Sequence, residues 1–298
     1  MISVFGSVNM DLVAYVDAAP ALGETVTGRA FSTVPGGKGA NQAIAAARAG
    51  ARVAFLGAVG DDDFGTEMRG TLAEAGVDVT NLRTVPGPSG IAQIVVDGGG
   101  GNSIIVVPGA NGAVTAPTEA EIEVISRSDV LLLQLELPIE AVTAAARAAR
   151  AAGTTVVLTP APVQPLPAEL LEAVDILVAN EHEAVAITGQ ADHERALKEL
   201  RGTVGWVIVT LGARGALTSS DDGAAVWVEA PRVNAVDTTA AGDTFVGALA
   251  VAHVEKQPAD QAVRFATAAA GLSVQRAGAS SSMPTRAEID RSLSAAGA

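Results

Sequence analysis

Residues 234–245, Asn-Ala-Val-Asp-Thr-Thr-Ala-Ala-Gly-Asp-Thr-Phe, are where the types and spacing of side chains best fit chemistry. A short apolar–polar alternation passes through small residues into an alanine-rich apolar stretch, 245–254, that reads as a helix. Gly242 at the turn lets backbone and ligand approach closely. The N–H groups around Ala240, Ala241, Gly242 and Asp243 open that helix, where no intrahelical acceptor exists for them. Free donors and the positive end of the helix dipole make a place for an anion. A carboxylate in the same turn opposes anion binding on charge alone, so Asp243 reads as a base. It would take the proton of a hydroxyl while the charge of a transferred group rests on main-chain amides, as phosphoryl transfer requires. The same stretch also fits a plainer role in which Asp237 and Asp243 only cap a helix.

A second cluster is Pro35-Gly36-Gly37-Lys38-Gly39-Ala40-Asn41-Gln42. It is not a P-loop, because glycine rather than Ser or Thr follows Lys38, and its glycines miss the dinucleotide spacing. What remains is a glycine turn feeding a helix, with Lys38 and Asn41 near its start. Backbone open to a ligand, one cation and one amide suit a polyol. Asn9 and Asp11 follow the first strand, on one face by alternation, at the end of a strand where open parallel sheets bind ligands. Glu136 closes an apolar run, 130–135, as a strand-end surface residue or a ligand contact. Asn180 and Glu183 share one face of a first helical turn. That spacing suits holding water around magnesium, and it also matches a capping box. Asp61-Asp62-Asp63 lacks calcium-loop spacing and reads as a turn. His182, His193 and His253 form no zinc spacing.

These groups need a scaffold. The chain has 298 residues, 49% of them hydrophobic but only 3% aromatic, so its core must be built from Ala, Val, Leu and Ile. Nineteen Lys and Arg against 33 Asp and Glu give a net charge of −14, which disfavours a nucleic-acid partner or an anionic membrane surface. Zero cysteines exclude disulfides, thiolate metal sites and cysteine nucleophiles. The N-terminus has no signal-peptide pattern and no apolar run approaches a membrane span, so a cytoplasmic location is expected. Strands are expected at 2–8, 12–16, 26–34, 52–59, 91–96, 103–107, 130–135, 155–159, 176–179, 207–210, 216–218 and 225–228. Helices are expected at 43–49, 66–75, 139–152, 170–174, 181–187, 193–201, 244–255 and 259–276. This alternation predicts an α/β fold with a mainly parallel sheet covered on both faces. The first third breaks the rhythm: about residues 11–35 and 88–108 read as a small added sheet. No linker divides the chain, so 1–298 reads as one domain.

Taken together, these residues resemble the ribokinase-like (PfkB) family of carbohydrate kinases over nearly the whole length. The resemblance is carried by residues 6–11, 20–27, 36–42, 134–136, 160–162, 180–184, 210–212 and 236–245. The Gly-Gly-Lys-Gly-Ala-Asn and Ala-Ala-Gly-Asp forms are those of its ribokinase branch; the general family has glycine where Ala240 stands. The resemblance implies the family fold with a β-sheet lid that often forms a dimer interface. It implies that Asn9, Asp11, Gly37, Lys38, Asn41 and Glu136 bind sugar together with the base Asp243, and that Ala240, Ala241 and Gly242 form the anion hole. Asn180 and Glu183 match its magnesium and phosphate motif; Thr210, Gly212 and Gly215, with Asn180, Ala241 and Gly242, would line ATP. Asp237, Thr239, Ser273, Gly278 and Ser282 match a potassium site, mostly through backbone oxygens. The expected activity is phosphorylation of D-ribose at O5, with ATP, Mg2+ and K+, in a homodimer. The alternatives are another sugar or nucleoside as substrate, or a sugar-binding module that has lost catalysis.

Overall fold

The structure is a computed structural model, described for residues 1–219 and 225–296. In chain order its first elements are β1 (Ile2–Phe5), β2 (Asn9–Tyr15), β3 (Ala30–Gly36), α1 (Lys38–Arg48), β4 (Val53–Gly60), α2 (Asp63–Glu74) and β5 (Leu82–Val85). Next come β6 (Gly90–Val96), β7 (Asn102–Val107), α3 (Glu119–Ser126), β8 (Val130–Leu133), α4 (Ile139–Ala152), β9 (Thr155–Leu158) and α5 (Ala168–Leu171). The last are β10 (Ile176–Asn180), α6 (Glu181–Thr188), α7 (His193–Leu200), β11 (Trp206–Thr210), β12 (Ala216–Ser219), β13 (Ala225–Val228), α8 (Ala241–Val254), α9 (Ala259–Ser273) and α10 (Arg286–Ala296).

The large sheet has the order β13-β12-β11-β10-β9-β8-β1-β4-β5, parallel except at its β11–β12–β13 end. Its central strands are unbroken apolar runs because both faces are covered: every residue of β1, β4 and β8 is buried. A second sheet, β3-β2-β6-β7, uses 9–36 and 90–107, close to the small added sheet expected from sequence. The chain runs from β1 outward to β4 and β5, then crosses back to β8 and continues the other way. The ends of β1 and β8 therefore border the switch point of the sheet, where such folds open a crevice.

Three alanine-rich helices, α1, α8 and α9, pack on one face. A Cβ at Gly247 would lie 2.6 Å from the Ala45 Cβ, so glycine there lets α8 approach α1. That approach sets the N-terminus of α8 beside the start of α1.

Local reading misplaces several boundaries. β1 stops at Phe5, and Asn9 to Asp11 open the next strand rather than ending the first. The strand expected at 26–34 is 30–36. α1 begins at Lys38, five residues early, because Gly37 at φ 93° turns the chain directly into the helix. β5, α3 and α10 were not anticipated: the strand has four residues and both helices are rich in charged residues, leaving weak periodicity. Asp62 is the N-cap of α2, bonded by Gly65 N–H and by Ser89, as the turn reading requires. Among the described residues no helix is long and apolar enough to cross a membrane.

Candidate active site

The glycine turn at 36–39 and the acid of the 234–245 stretch meet. Asp243, on the first turn of α8, is 9% exposed. Its Oδ2 accepts a hydrogen bond from Asn41 Nδ2 at 3.3 Å, and its Oδ1 accepts from Gln42 Nε2 at 3.1 Å. Its side chain caps no backbone N–H, so the plain capping role is not what the fold gives it.

Gln42, within the 36–42 cluster but with no role evident from its spacing, belongs to a chain of buried amides. It is fully buried on the alanine-rich face of α1 and also donates to Thr159 Oγ1 at 3.2 Å. Its Oε1 accepts from Gln134 Nε2 at 2.6 Å. A buried glutamine amid alanines was the available signal, since such a group must find partners.

Glu136 lies past the end of β8. Its Oε2 accepts from Ser7 Oγ and from the Lys38 backbone N–H at 3.0 Å, tying the ends of β1 and β8 to the glycine turn. Gly39 N–H and Ala40 N–H donate to Ser7 Oγ and Ser7 O, at 3.3 and 3.0 Å. Gly37 has φ 93°, and a Cβ there would come within 2.8 Å of Asn9 N, so the turn lies directly against β2. Asn9 pairs with Gly36 and Asp11 with Val34 across β2 and β3, both side chains on the face that alternation predicts.

Electrostatics bind the cluster together. Burial pushes Asp11 up to about 7, with Glu136 adding to the rise and Lys38 opposing it. Burial likewise raises Asp243 to about 6, against the pull of Lys38 and of the Gln42 and Asn41 hydrogen bonds. Burial alone would lower Lys38, but the fields of Asp243, Glu136, Glu183 and Asp11 outweigh it and hold the ammonium above its usual value. Four carboxylates thus share one cation, which makes no side-chain hydrogen bond or ion pair of its own among the described residues.

Across the α8 turn lies a cavity of about 430 Å³. Thr210, Gly212, Gly215, Ala241 and Gly242 line it, joined by Phe245 at the end of the 234–245 stretch and by Val233 and Thr267, which lie outside the motifs. Its lining is mostly apolar, as an aromatic base would require. At the turn, Ala240 has left-handed backbone, φ 56° and ψ 18°. The N–H groups of Ala240, Gly242 and Asp243 have no acceptor among the described residues, whereas Ala241 N–H reaches Thr238 O at 3.2 Å.

Asn180 and Glu183 form a capping box at α6: Glu183 N–H donates to Asn180 Oδ1, and Asn180 N–H to Glu183 Oε2. That leaves Glu183 Oε1 and Asn180 Nδ2 unpartnered among the described residues, with Glu183 close enough for its field to act on Lys38. Asp237 spends one oxygen on Thr239 N–H and Oγ1 and the other on Gly278 N–H, closing the 237–239 loop onto 278. Ser273 and Ser282 are buried near this junction in sequence, with their hydroxyls bonded locally to Ala270 O and Ala279 O. Among the described residues no group of three or more His, Asp or Glu could hold a metal directly.

A buried carboxylate, free helix-end amides and an apolar cavity meet at one turn of an α/β fold, an arrangement suited to phosphoryl transfer. The chain belongs to the pfkB family of carbohydrate kinases, whose model matches residues 1–286. It is 42% identical to the ribokinase of Schizosaccharomyces pombe, covering 98% of this chain and 97% of that one. It is 43% identical to the ribokinase of Haemophilus influenzae, with 96% of each chain covered. The structure of Arabidopsis thaliana ribokinase complexed with ribose and ATP superposes with a TM-score of 0.92 at 34% identity, over 98% of both chains.

Proposed function

We propose that this chain transfers the γ-phosphoryl group of ATP to O5 of D-ribose, giving ribose 5-phosphate and ADP. The observation that carries the reading is the junction at the α8 turn. Asp243 faces the Lys38–Asn41 cluster through Asn41, while Ala241 and Gly242 of the same turn line the 430 Å³ cavity.

In this reading Asn9, Asp11, Gly37, Lys38, Asn41 and Glu136 hold the sugar. Asp243, already raised toward neutrality, takes the proton of the O5 hydroxyl as that oxygen attacks the γ-phosphorus. The bond from phosphorus to the β–γ bridging oxygen breaks, and ADP leaves along Thr210, Gly212 and Gly215. The unpartnered amides of Ala240 and Gly242, and that of Ala241 once released from Thr238, stabilise charge on the group in transit.

Asn180 and Glu183 fit magnesium held through water, because the capping box still leaves one carboxylate oxygen free; the ion would supply charge neutralisation at the phosphates. Asp237, Thr239, Ser273, Gly278 and Ser282 would frame a potassium ion. Since both Asp237 oxygens are engaged, backbone carbonyls would be its main ligands. Equal activity in potassium, sodium and choline buffers would remove that ion from the proposal.

The smaller sheet is the proposed lid. Phe31, Ile104, Ile105, Val106 and Val107 lie exposed on it, and we assign that apolar surface to a homodimer. Sedimentation as a monomer at micromolar concentration would remove the assignment. A cytoplasmic location, where ATP is supplied, completes the proposal.

The deciding experiment is coupled ADP release over a panel of pentoses, hexoses and nucleosides. D-ribose should give the highest kcat/KM. A preference for another member redirects the substrate, and no turnover with any, despite sugar binding, would make the chain a binding module.

A further inference from the structure

Where the chain leaves the large sheet for the smaller one, Val8 sits between β1 and β2 without a strand partner. A buried backbone N–H and C=O must nevertheless be satisfied. Asn111 does this. It lies 1% exposed in a single turn, Gly109–Ala113, just after β7. Its Oδ1 accepts the Val8 N–H at 3.0 Å and its Nδ2 donates to Val8 O at 2.9 Å. The two bonds fix which end of the Asn111 amide is oxygen and which nitrogen, because a reversed amide would face donor with donor and acceptor with acceptor.

One hydrogen remains on Asn111 Nδ2, and it goes to Asn9 Oδ1 at 2.8 Å. The Asn9 amide is therefore also fixed: turned over, it would set two NH2 groups against each other. Its own Nδ2 has no acceptor among the described residues, yet it is not among the buried polar atoms cut off from solvent. Asn9 is only 2% exposed, so what this nitrogen meets is an internal space rather than open surface, and the Asn9 backbone adjoins the glycine turn. The packing around this pair is close. A Cβ on Gly90, the residue paired with Asn9 across β2 and β6, would lie 2.2 Å from Asn111 Nδ2 and 2.5 Å from Asn9 Oδ1.

We propose that Asn111 is a positioning residue for substrate specificity: through Val8 it locks Asn9 with its NH2 group toward the sugar, so that the site demands an acceptor oxygen at that point. This inference rests on the reading of the pocket as a sugar site. A hydroxyl oxygen there accepts a hydrogen bond from the Asn9 NH2 group, and an analogue lacking it leaves that group unpaired.

Asn111→Asp is the test. It is nearly isosteric and keeps the acceptor for Val8 N–H, but it turns the other end into an acceptor facing both Val8 O, which cannot turn, and Asn9 Oδ1, which can. Asn9 should then reverse and present its carbonyl to the sugar. The KM for D-ribose is expected to rise by about tenfold or more, the scale of one lost hydrogen bond in a desolvated site, with the KM for ATP within about twofold. In an Asn9→Ala background the same change should add less than about twofold to the ribose KM. An unchanged ribose KM, or the same increment with and without Asn9, overturns the proposal. If Asn111→Asp does not fold, Asn9→Asp keeps the acceptor that Asn111 needs, removes the donor and adds one carboxylate to the cluster. Its fold is checked by circular dichroism and melting temperature, and the folded variant should show a loss in ribose KM at least as large; an unaltered KM again overturns the proposal. Absence of sugar turnover in the wild type would instead overturn the kinase reading itself.

Discussion

The α8 turn separates two regions built on opposite principles. On the α1 side, Asp11, Glu136, Asp243 and Lys38 crowd into a largely buried space, held by side-chain bonds from Ser7, Asn41 and Gln42. On the other side the cavity offers main-chain atoms, small residues and apolar surface, with few ionisable groups. A sugar presents many hydroxyls and no charge, so it is recognised by groups fixed in direction, at the expense of burying charge. A nucleotide brings its own charge and a flat base, so a slot and a fan of N–H donors serve. Substitutions on the two sides should therefore fail differently: on the first in turnover and pH dependence, on the second in nucleotide affinity with little electrostatic signature.

The largest effect is expected for Asp243→Asn. Turnover should fall by about 10²–10⁴-fold, the usual contribution of a general base, while the sugar KM stays within a few-fold. The same variant should be more stable than wild type at high pH. The folded carboxyl titrates at about 6 against an ordinary 3.8, so the stability it lends is complete below about 3.8 and is lost as pH rises through 6. The amide is spared that loss. Asn41 can also turn its amide, bringing its otherwise unsatisfied Oδ1 onto the new NH2 group. Melting temperatures at pH 8 and pH 4 check this: the advantage should be present at the first and absent at the second. Near-normal turnover would remove Asp243 from the role of base.

Gln42→Leu comes next. It deletes the hydrogen bond to Asp243 Oδ1, together with those to Thr159 and Gln134, at a fully buried side chain. Because the bond to Asp243 stabilises the ionised form, its loss raises the Asp243 pKa further, and the acid limb of kcat/KM should move to higher pH. With one charge-assisted bond gone, kcat near pH 7 should fall by about tenfold and recover partly at pH 8.5. A uniform drop at all pH values would mean that Gln42 supports only packing.

On the cavity side, Gly242→Ala places a methyl group where nothing beyond its own helical turn lies within 4 Å. Alanine in a first helical turn should stabilise the fold by up to about 1 kcal/mol. The methyl group projects beside the donors that would meet phosphate, so the ATP KM should rise several-fold. The pH profile and the sugar KM should stay as in wild type, in contrast to both variants on the α1 side.

How far the sequence reveals all this follows from the range of each interaction. The turns at 36–42 and 234–245 were readable because glycine and small residues restrict local backbone, and the buried parallel strands because they are unbroken apolar runs. The partnerships were not. Gln42 meets Asp243 across 201 residues, and Asn111 meets Val8 across 103. No periodicity records which distant group satisfies a buried amide. The capping box at Asn180 and Glu183 shows the reverse limit: one spacing served two readings, and the fold realises the local one while leaving an oxygen free for the other.

The smallest effect, and the finest probe of the turn between the two regions, is Ala240→Gly. Ala240 holds φ 56° at the N-cap of α8, one of two non-glycine residues described with positive φ. The left-handed region costs alanine about 1–2 kcal/mol, and strain of this kind persists where surrounding structure fixes the backbone. Here the fixing groups are the Thr244 N–H and Oγ1, both donating to Ala240 O, and the turn bond from Ala241 N–H to Thr238 O. Glycine adopts the same angles without the steric cost but loses more entropy on folding, so a net gain of about 0.5–1 kcal/mol is expected. If the turn is rigid through those bonds, kcat should change by less than about twofold, because every donor stays in place. If the methyl group itself helps to hold the turn, the glycine variant will be more stable yet slower with both substrates, and the ATP KM and the sugar KM will shift together. Calorimetry and steady-state kinetics on one preparation separate these outcomes, and the second would make the α8 turn a shared element of the two regions rather than a wall between them.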